Sequence, residues 1–108
     1  MEQSTHDRIH SMVTDHPIIL FMKGTPDFPQ CGFSARAANM LKTQGVRFAA
    51  FDVLADPSVR DGVKEYANWP TIPQLYVNGE FIGGTDIMTE MYQNGELANV
   101  LAQATSKT

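Results

Sequence analysis

The chain of 108 residues has a single cysteine, Cys31. One cysteine excludes a disulfide within the chain and a zinc site built from four cysteines. It fits a reducing compartment. Long apolar runs are missing as well. The longest, "IILFM" at 18–22, falls far short of the roughly 20 residues that a membrane-spanning helix needs. Positive charge is scarce: 8 Lys and Arg stand against 12 Asp and Glu, a net charge of -4. There is no basic cluster, so nucleic acid is not an expected partner. The opening "MEQSTHDRIH" has no basic flank leading into an apolar run, and it is not Arg-rich and acid-poor. It reads as neither a secretory signal nor a transit peptide, and the expected location is cytoplasmic. Repeats, low-complexity tracts and linkers are also lacking, so residues 1–108 read as one domain.

What is present suffices for a core. Hydrophobic residues make up 43% of the chain, enough to fold without a disulfide or structural metal. Ile9, Met12 and Val13 fall at helical spacing and predict a first helix over 4–14, stopped by Asp15-His16-Pro17. "IILFM" is short and β-branched at its start, and reads as a strand buried on both faces. "KGTPDFPQ" (23–30) is a loop. A second helix is expected from about Cys31 to Gln44, capped by Gly45, with Phe33, Ala37, Met40 and Leu41 on one face. "RFAAFDV" (47–53) reads as a second strand. Asp56-Pro57 opens a third helix carrying Val59, Val63 and Tyr66 inward. "QLYV" and "EFIG" flank Asn78-Gly79, a type I′ hairpin signal. Thr85 to about Thr105 is expected to be helical, with a break near Asn94-Gly95. The order α-β-α-β-α-β-β-α-α predicts an α/β fold: a four-stranded mixed sheet with helices on both faces. Strands joined through helices are expected to pair in parallel, with the hairpin adding an antiparallel edge.

Cys31 sits in "PDFPQCGFSARAA". A second cysteine three residues on would make a C-x-x-C redox pair, but Ser34 stands there. A free cysteine is often a small buried hydrophobe. This one follows a polar, Pro-rich loop and begins a helix, where free N–H groups and the helix dipole favour thiolate. A reactive or metal-binding role is therefore ranked first. Ser34, in the first helical turn, reads as a neutral helix residue with no catalytic task. Lys23 ends the first strand at the carboxyl edge of the sheet, where open α/β sheets bind ligands. Alone it would be a solubilising lysine; beside Cys31, it favours the thiolate or holds an anion.

Pro73, in "WPTIPQ" (69–74), suits a cis peptide at a strand start. That would turn the Ile72 backbone outward, free to pair with an extended peptide. The alternative is a rigid loop whose Trp69 and Ile72 only pack. In "GGTD" (83–86), a helix N-terminus can receive a carboxylate, and Asp86 can accept from an ammonium group. Ordinary capping by Thr85 and Asp86 explains this segment equally well. Arg60, on the third helix, reads from the residues alone as a solvated arginine. His6 and His10 lie one helical turn apart but have no third ligand to complete a metal site.

Together, "FMKGTPDFPQCGFS", "WPTIPQLYVNGEFIGG" and "TDI" resemble the monothiol glutaredoxins of the CGFS class, within the thioredoxin fold. The resemblance runs from about His6 to Ala104. The long loop between Lys23 and Cys31 matches this class, whereas dithiol glutaredoxins have a shorter loop and a C-P-Y-C motif. The resemblance implies glutathione in a groove beside Cys31. Lys23 and Arg60 match the positions that hold its glycine carboxylate. Ile72 matches the residue whose backbone pairs with the cysteinyl part. Thr85 and Asp86 match those that hold the γ-glutamyl end. Cys31 matches the cysteine that binds iron.

The resemblance also implies a [2Fe–2S] cluster shared by a homodimer, with a monomeric apo form. The implied partners are BolA-type proteins and apo iron–sulfur proteins. Glutathione-dependent removal of glutathione from proteins is the alternative activity, and it is implied to be poor in this class. A sensor in a mixed complex is a third reading. Two positions depart from the family pattern: many members have an aromatic residue where Ile72 stands, and several have a cysteine where Thr85 stands.

Overall fold

The structure, a computed structural model, describes residues 4–105. Helix α1 (Thr5–Asp15) starts where the Ser4 hydroxyl accepts the Asp7 N–H at 3.1 Å, and it stops before Pro17. Strand β1 (Ile18–Met22) is buried at every position, as its apolar run predicts. Helix α2 (Gly32–Thr43) has Cys31 as its N-cap residue. Strand β2 (Ala49–Asp52) is shorter than the expected 47–53. Asp52 ends it by accepting the Leu54 N–H, which tightens Val53–Ala55 into a 3₁₀ turn. Asp56 caps helix α3 (Pro57–Ala67) through the Ser58 and Val59 amides. Strands β3 (Gln74–Val77) and β4 (Glu80–Gly83) form the hairpin, with Asn78 and Gly79 at φ 52° and 81°. The last helical stretch divides at Gly95 into α4 (Thr85–Asn94) and α5 (Glu96–Thr105).

The sheet order is β2-β1-β3-β4. β1 and β2 are parallel, whereas β3 is antiparallel to both β1 and β4. The rule that helix-linked strands pair in parallel therefore holds only for β1 and β2. Phe21 pairs with Gln74, so β3 begins where β1 ends. Helix α3 returns the chain to that same end instead of carrying it across the sheet. This places the Trp69–Pro73 loop beside the carboxyl end of β1.

Alternation along β1 splits the core into two layers. Ile18, Leu20 and Met22 pack under α2, α4 and α5, against Ala37, Leu41, Met88 and Leu101. Ile19 and Phe21 pack under α1 and α3, against Ile9, Val13, Val59 and Val63. Phe33 leaves the expected core face of α2 and is 62% exposed. It lies in the first turn of α2, where the helix runs past the end of the sheet.

Candidate functional site

Three segments meet at the carboxyl end of β1. The first is the chain from Lys23 to Ser34. Beyond β1 it folds back on itself: Gln30 N–H donates to Lys23 C=O at 2.9 Å, and Thr25 and Phe28 exchange backbone hydrogen bonds. Gly24 makes this reversal possible. Its φ is +85°, and an added Cβ would lie 2.5 Å from the Phe28 carbonyl oxygen. Lys42 fastens the far side of the loop, donating to Pro26 C=O at 2.9 Å and to Asp27 Oδ1 at 3.3 Å.

Cys31, half-buried, ends this segment as the only thiol. Its backbone is extended, with helix beginning at the next residue. The thiol therefore stands at the first amides of α2, without a cap hydrogen bond of its own. The Ser34 N–H lowers its pKa most, and the Phe33 N–H, the Ser34 hydroxyl and the Lys23 charge act in the same direction. Partial burial opposes them without reversing the shift. The expected activation at a helix N-terminus is present, and the Lys23 charge is its smallest cause.

Ser34 does more than the sequence reading allowed. It is fully buried, and its Oγ accepts the Lys23 N–H at 3.0 Å. Asp52, which the sequence reading did not single out, accepts the Gly24 N–H at 2.9 Å. Both roles depend on contacts 11 and 28 residues apart. No local pattern could have revealed them.

The second segment is the Trp69–Pro73 loop. The Ile72–Pro73 peptide is cis, as the "TIP" reading expected. The Ile72 side chain is buried, while among the described residues its backbone N–H and C=O take no part in the loop and turn hydrogen bonds. The buried amide of Gln74 holds the loop, donating to Trp69 C=O and Thr71 C=O at 3.2 Å each.

The third segment is the start of α4. Gly84, not Thr85 or Asp86, is the N-cap residue, and no side chain caps the helix. The capping alternative for Thr85 and Asp86 is thereby set aside. The Thr85 hydroxyl donates to Phe33 C=O at 2.9 Å and ties α4 to the first turn of α2. With its hydroxyl proton taken, Thr85 can offer a ligand its amide as a donor and its hydroxyl oxygen only as an acceptor. Asp86 is exposed in the first turn.

A groove of about 200 Å³ runs between these segments, lined by Phe33, Ile72, Pro73, Gly84, Thr85 and Asp86 among others. Its lining suits an extended, zwitterionic peptide. It has a free backbone edge at Ile72 and an uncapped helix N-terminus at Gly84. Beside it lies a buried indole N–H, Trp69 Nε1, with no hydrogen-bond partner among the described residues. At Gly84, an added Cβ would stand 3.2 Å from Pro73 C=O and narrow the passage.

The fold therefore gathers Ile72, Thr85 and Asp86 along one groove. Lys23 is tied to Cys31 through Ser34. Cys31, Lys23 and Arg60 are not among the residues that line the groove. Arg60 is exposed on α3; its N–H donates to Asp56 C=O at 3.0 Å, and its side chain makes no hydrogen bond or ion pair among the described residues. The histidines serve elsewhere: His10 Nδ1 lies 2.9 Å from Tyr66 Oη, and the His6 ring packs on Tyr66. Among the described residues, no three His, Cys, Asp or Glu side chains gather to hold a metal. No helix among them is long and apolar enough to cross a membrane.

Comparison with known proteins shows the family. The family model described as Glutaredoxin matches residues 18–82. The monothiol glutaredoxin ycf64-like of Synechocystis is 55% identical over 96% of this chain and 97% of its own. The solution structure of reduced poplar apo GrxS14 is 46% identical, covers 92% of this chain and 91% of its own, and superposes with a TM-score of 0.80. A crystal structure of buckwheat glutaredoxin in complex with glutathione shares the fold at TM-score 0.84 and 19% identity, covering 94% of this chain and 90% of its own. With one cysteine at the start of α2 and relatives of this kind, the chain belongs to the glutaredoxin family, in its monothiol branch.

Proposed function

We propose that the chain binds glutathione along this groove and, as a pair of chains, carries a [2Fe–2S] cluster to recipient proteins. The observation that carries the reading is a cysteine of lowered pKa with no second thiol in the chain, two residues before Phe33, which lines the groove. In this arrangement the Ile72 backbone pairs with the cysteinyl part of glutathione. The amides at the start of α4 receive its γ-glutamyl carboxylate, and Asp86 accepts from its ammonium group. Lys23 holds the glycine carboxylate, and Arg60 joins it from α3. A bound [2Fe–2S] cluster takes four thiolates. One chain supplies Cys31 and one bound glutathione supplies a second. Two chains around a two-fold axis supply all four.

Such a cargo is held partly by a dissociable ligand, which suits delivery to apo iron–sulfur proteins. BolA-type proteins would replace one chain in mixed dimers, and a sensing role would use the same complex. The working location is cytoplasmic in this reading.

A second activity is compatible with the half-exposed thiol. The Cys31 thiolate attacks the glutathionyl sulfur of a protein mixed disulfide, and the protein leaves as thiolate. A second glutathione thiolate then attacks the new disulfide, releasing glutathione disulfide and restoring Cys31 thiolate. The step needs no second cysteine in the chain.

Anaerobic incubation with iron, sulfide and glutathione separates the two. The cluster reading expects a coloured species that bleaches when glutathione is removed, and no colour with C31S. A wild-type protein that stays colourless yet turns over glutathione mixed disulfides rapidly would leave only the second activity.

A further inference from the structure

We propose that Asp52 is a positioning residue for the site, acting with Ser34 as a clamp on the Lys23–Gly24 backbone. The inference rests on the reading of Lys23 as a glutathione ligand. A lysine head group on a flexible stem is placed chiefly by where its backbone is held. β1 ends at Met22, so the next amides lie beyond the named strand. Two side chains from different elements take these amides in succession. Ser34 Oγ, from the first turn of α2, accepts Lys23 N–H at 3.0 Å, and Asp52 Oδ1, from the end of β2, accepts Gly24 N–H at 2.9 Å. The intervening carbonyl, of Lys23, accepts from Gln30 N–H at 2.9 Å.

Both acceptors are themselves fixed. Ser34 is fully buried. The Asp52 oxygen also accepts Leu54 N–H at 2.9 Å, so its own 3₁₀ turn aims it at Gly24. Gly24 is closely packed: a Cβ added there would lie 2.5 Å from the Phe28 carbonyl oxygen and 2.7 Å from the Gln30 amide nitrogen. Any shift at Gly24 therefore moves Lys23 and the 24–30 loop together. The clamp needs an acceptor at position 52, not a charge. A carboxylate acting through its charge would behave oppositely, since losing it would favour an anionic ligand.

The test uses the full chain and measures glutathione affinity by calorimetry and amide exchange by NMR. In the wild type, the Lys23 and Gly24 amides are expected to be protected. D52N keeps an acceptor oxygen and is expected to bind glutathione within about twofold of wild type. D52A is expected to lose about 3- to 10-fold in affinity and to expose Gly24 and Leu54 to exchange, and S34A to do the same at Lys23. An unprotected Gly24 amide in the wild type overturns the proposal. So does D52A that binds as wild type while Gly24 exchanges freely, or D52N that behaves as D52A. If wild-type protein binds no glutathione, the reading of the groove fails separately. The exchange data then decide: freed Gly24 in D52A but not in D52N supports the clamp, and any other pattern overturns it.

Discussion

At the scale of single residues, the site is one thiol and the groups that lower its pKa. The Ser34 N–H is the largest influence on Cys31, and the Ser34 hydroxyl is a smaller one. S34A removes only the smaller. Its thiol should titrate higher than wild type but stay below a free cysteine, which the pH dependence of alkylation would show. A profile identical to wild type would remove the hydroxyl from this account. Lys23 acts on the thiol least, so its main expected effect is on ligand binding. K23A should weaken glutathione binding several-fold while shifting the alkylation profile little. Unchanged glutathione affinity would rule out Lys23 as a ligand for glutathione. The position of Cys31 was legible in the sequence, because a Pro-rich loop followed by an amphipathic run fixes where a helix begins. Ser34 was not, because its partner amide is brought to it only when α2 packs on β1.

At the scale of elements, caps and turns were read well where their chemistry is local. Asp56-Pro57 opens α3 as expected, and Asn78-Gly79 turns the hairpin. The Asp56 cap makes a pH-dependent contribution. The Ser58 hydroxyl and then the Arg8 guanidinium, at 2.9 Å, push its pKa down to about 2. A carboxylate depressed in the folded state stabilises the fold above its ordinary pKa, and that contribution is lost as pH falls through the folded value. Thermal unfolding of the wild type should therefore lose stability from about pH 4 toward pH 2 more steeply than that of D56N. Parallel curves would contradict the role given to this cap.

The 23–30 loop was recognised as a loop from its Gly and Pro content. Its internal hydrogen bonds were not, since they join residues with no periodic relation. Gly24 carries that architecture. G24A combines an unfavourable φ with a clash against Phe28 C=O, and should cost about 2 kcal/mol or more in denaturant unfolding. A cost near zero would mean that the loop rearranges freely.

At the scale of the whole molecule, the apolar run of β1 and the helical spacing around it were enough for a layered α/β fold. The pairing of β3 was not legible. Periodicity says that a segment is a strand, but not at which end of the sheet the chain re-enters. That choice is made by α3 and the Trp69–Pro73 loop, where Gln74 gathers two carbonyls. It has a functional consequence. Because β3 starts where β1 ends, the Ile72 backbone edge and the start of α4 lie beside the helix that carries Cys31. A parallel β3 would have placed them at the far end of the sheet.

The central claim is that one cysteine per chain is completed from outside. Native mass spectrometry of the reconstituted protein tests it most directly. The expected species holds two chains, two glutathiones and one [2Fe–2S] cluster, and collapses to monomer on removal of glutathione. A cluster retained by a single chain, or by two chains without glutathione, would contradict it.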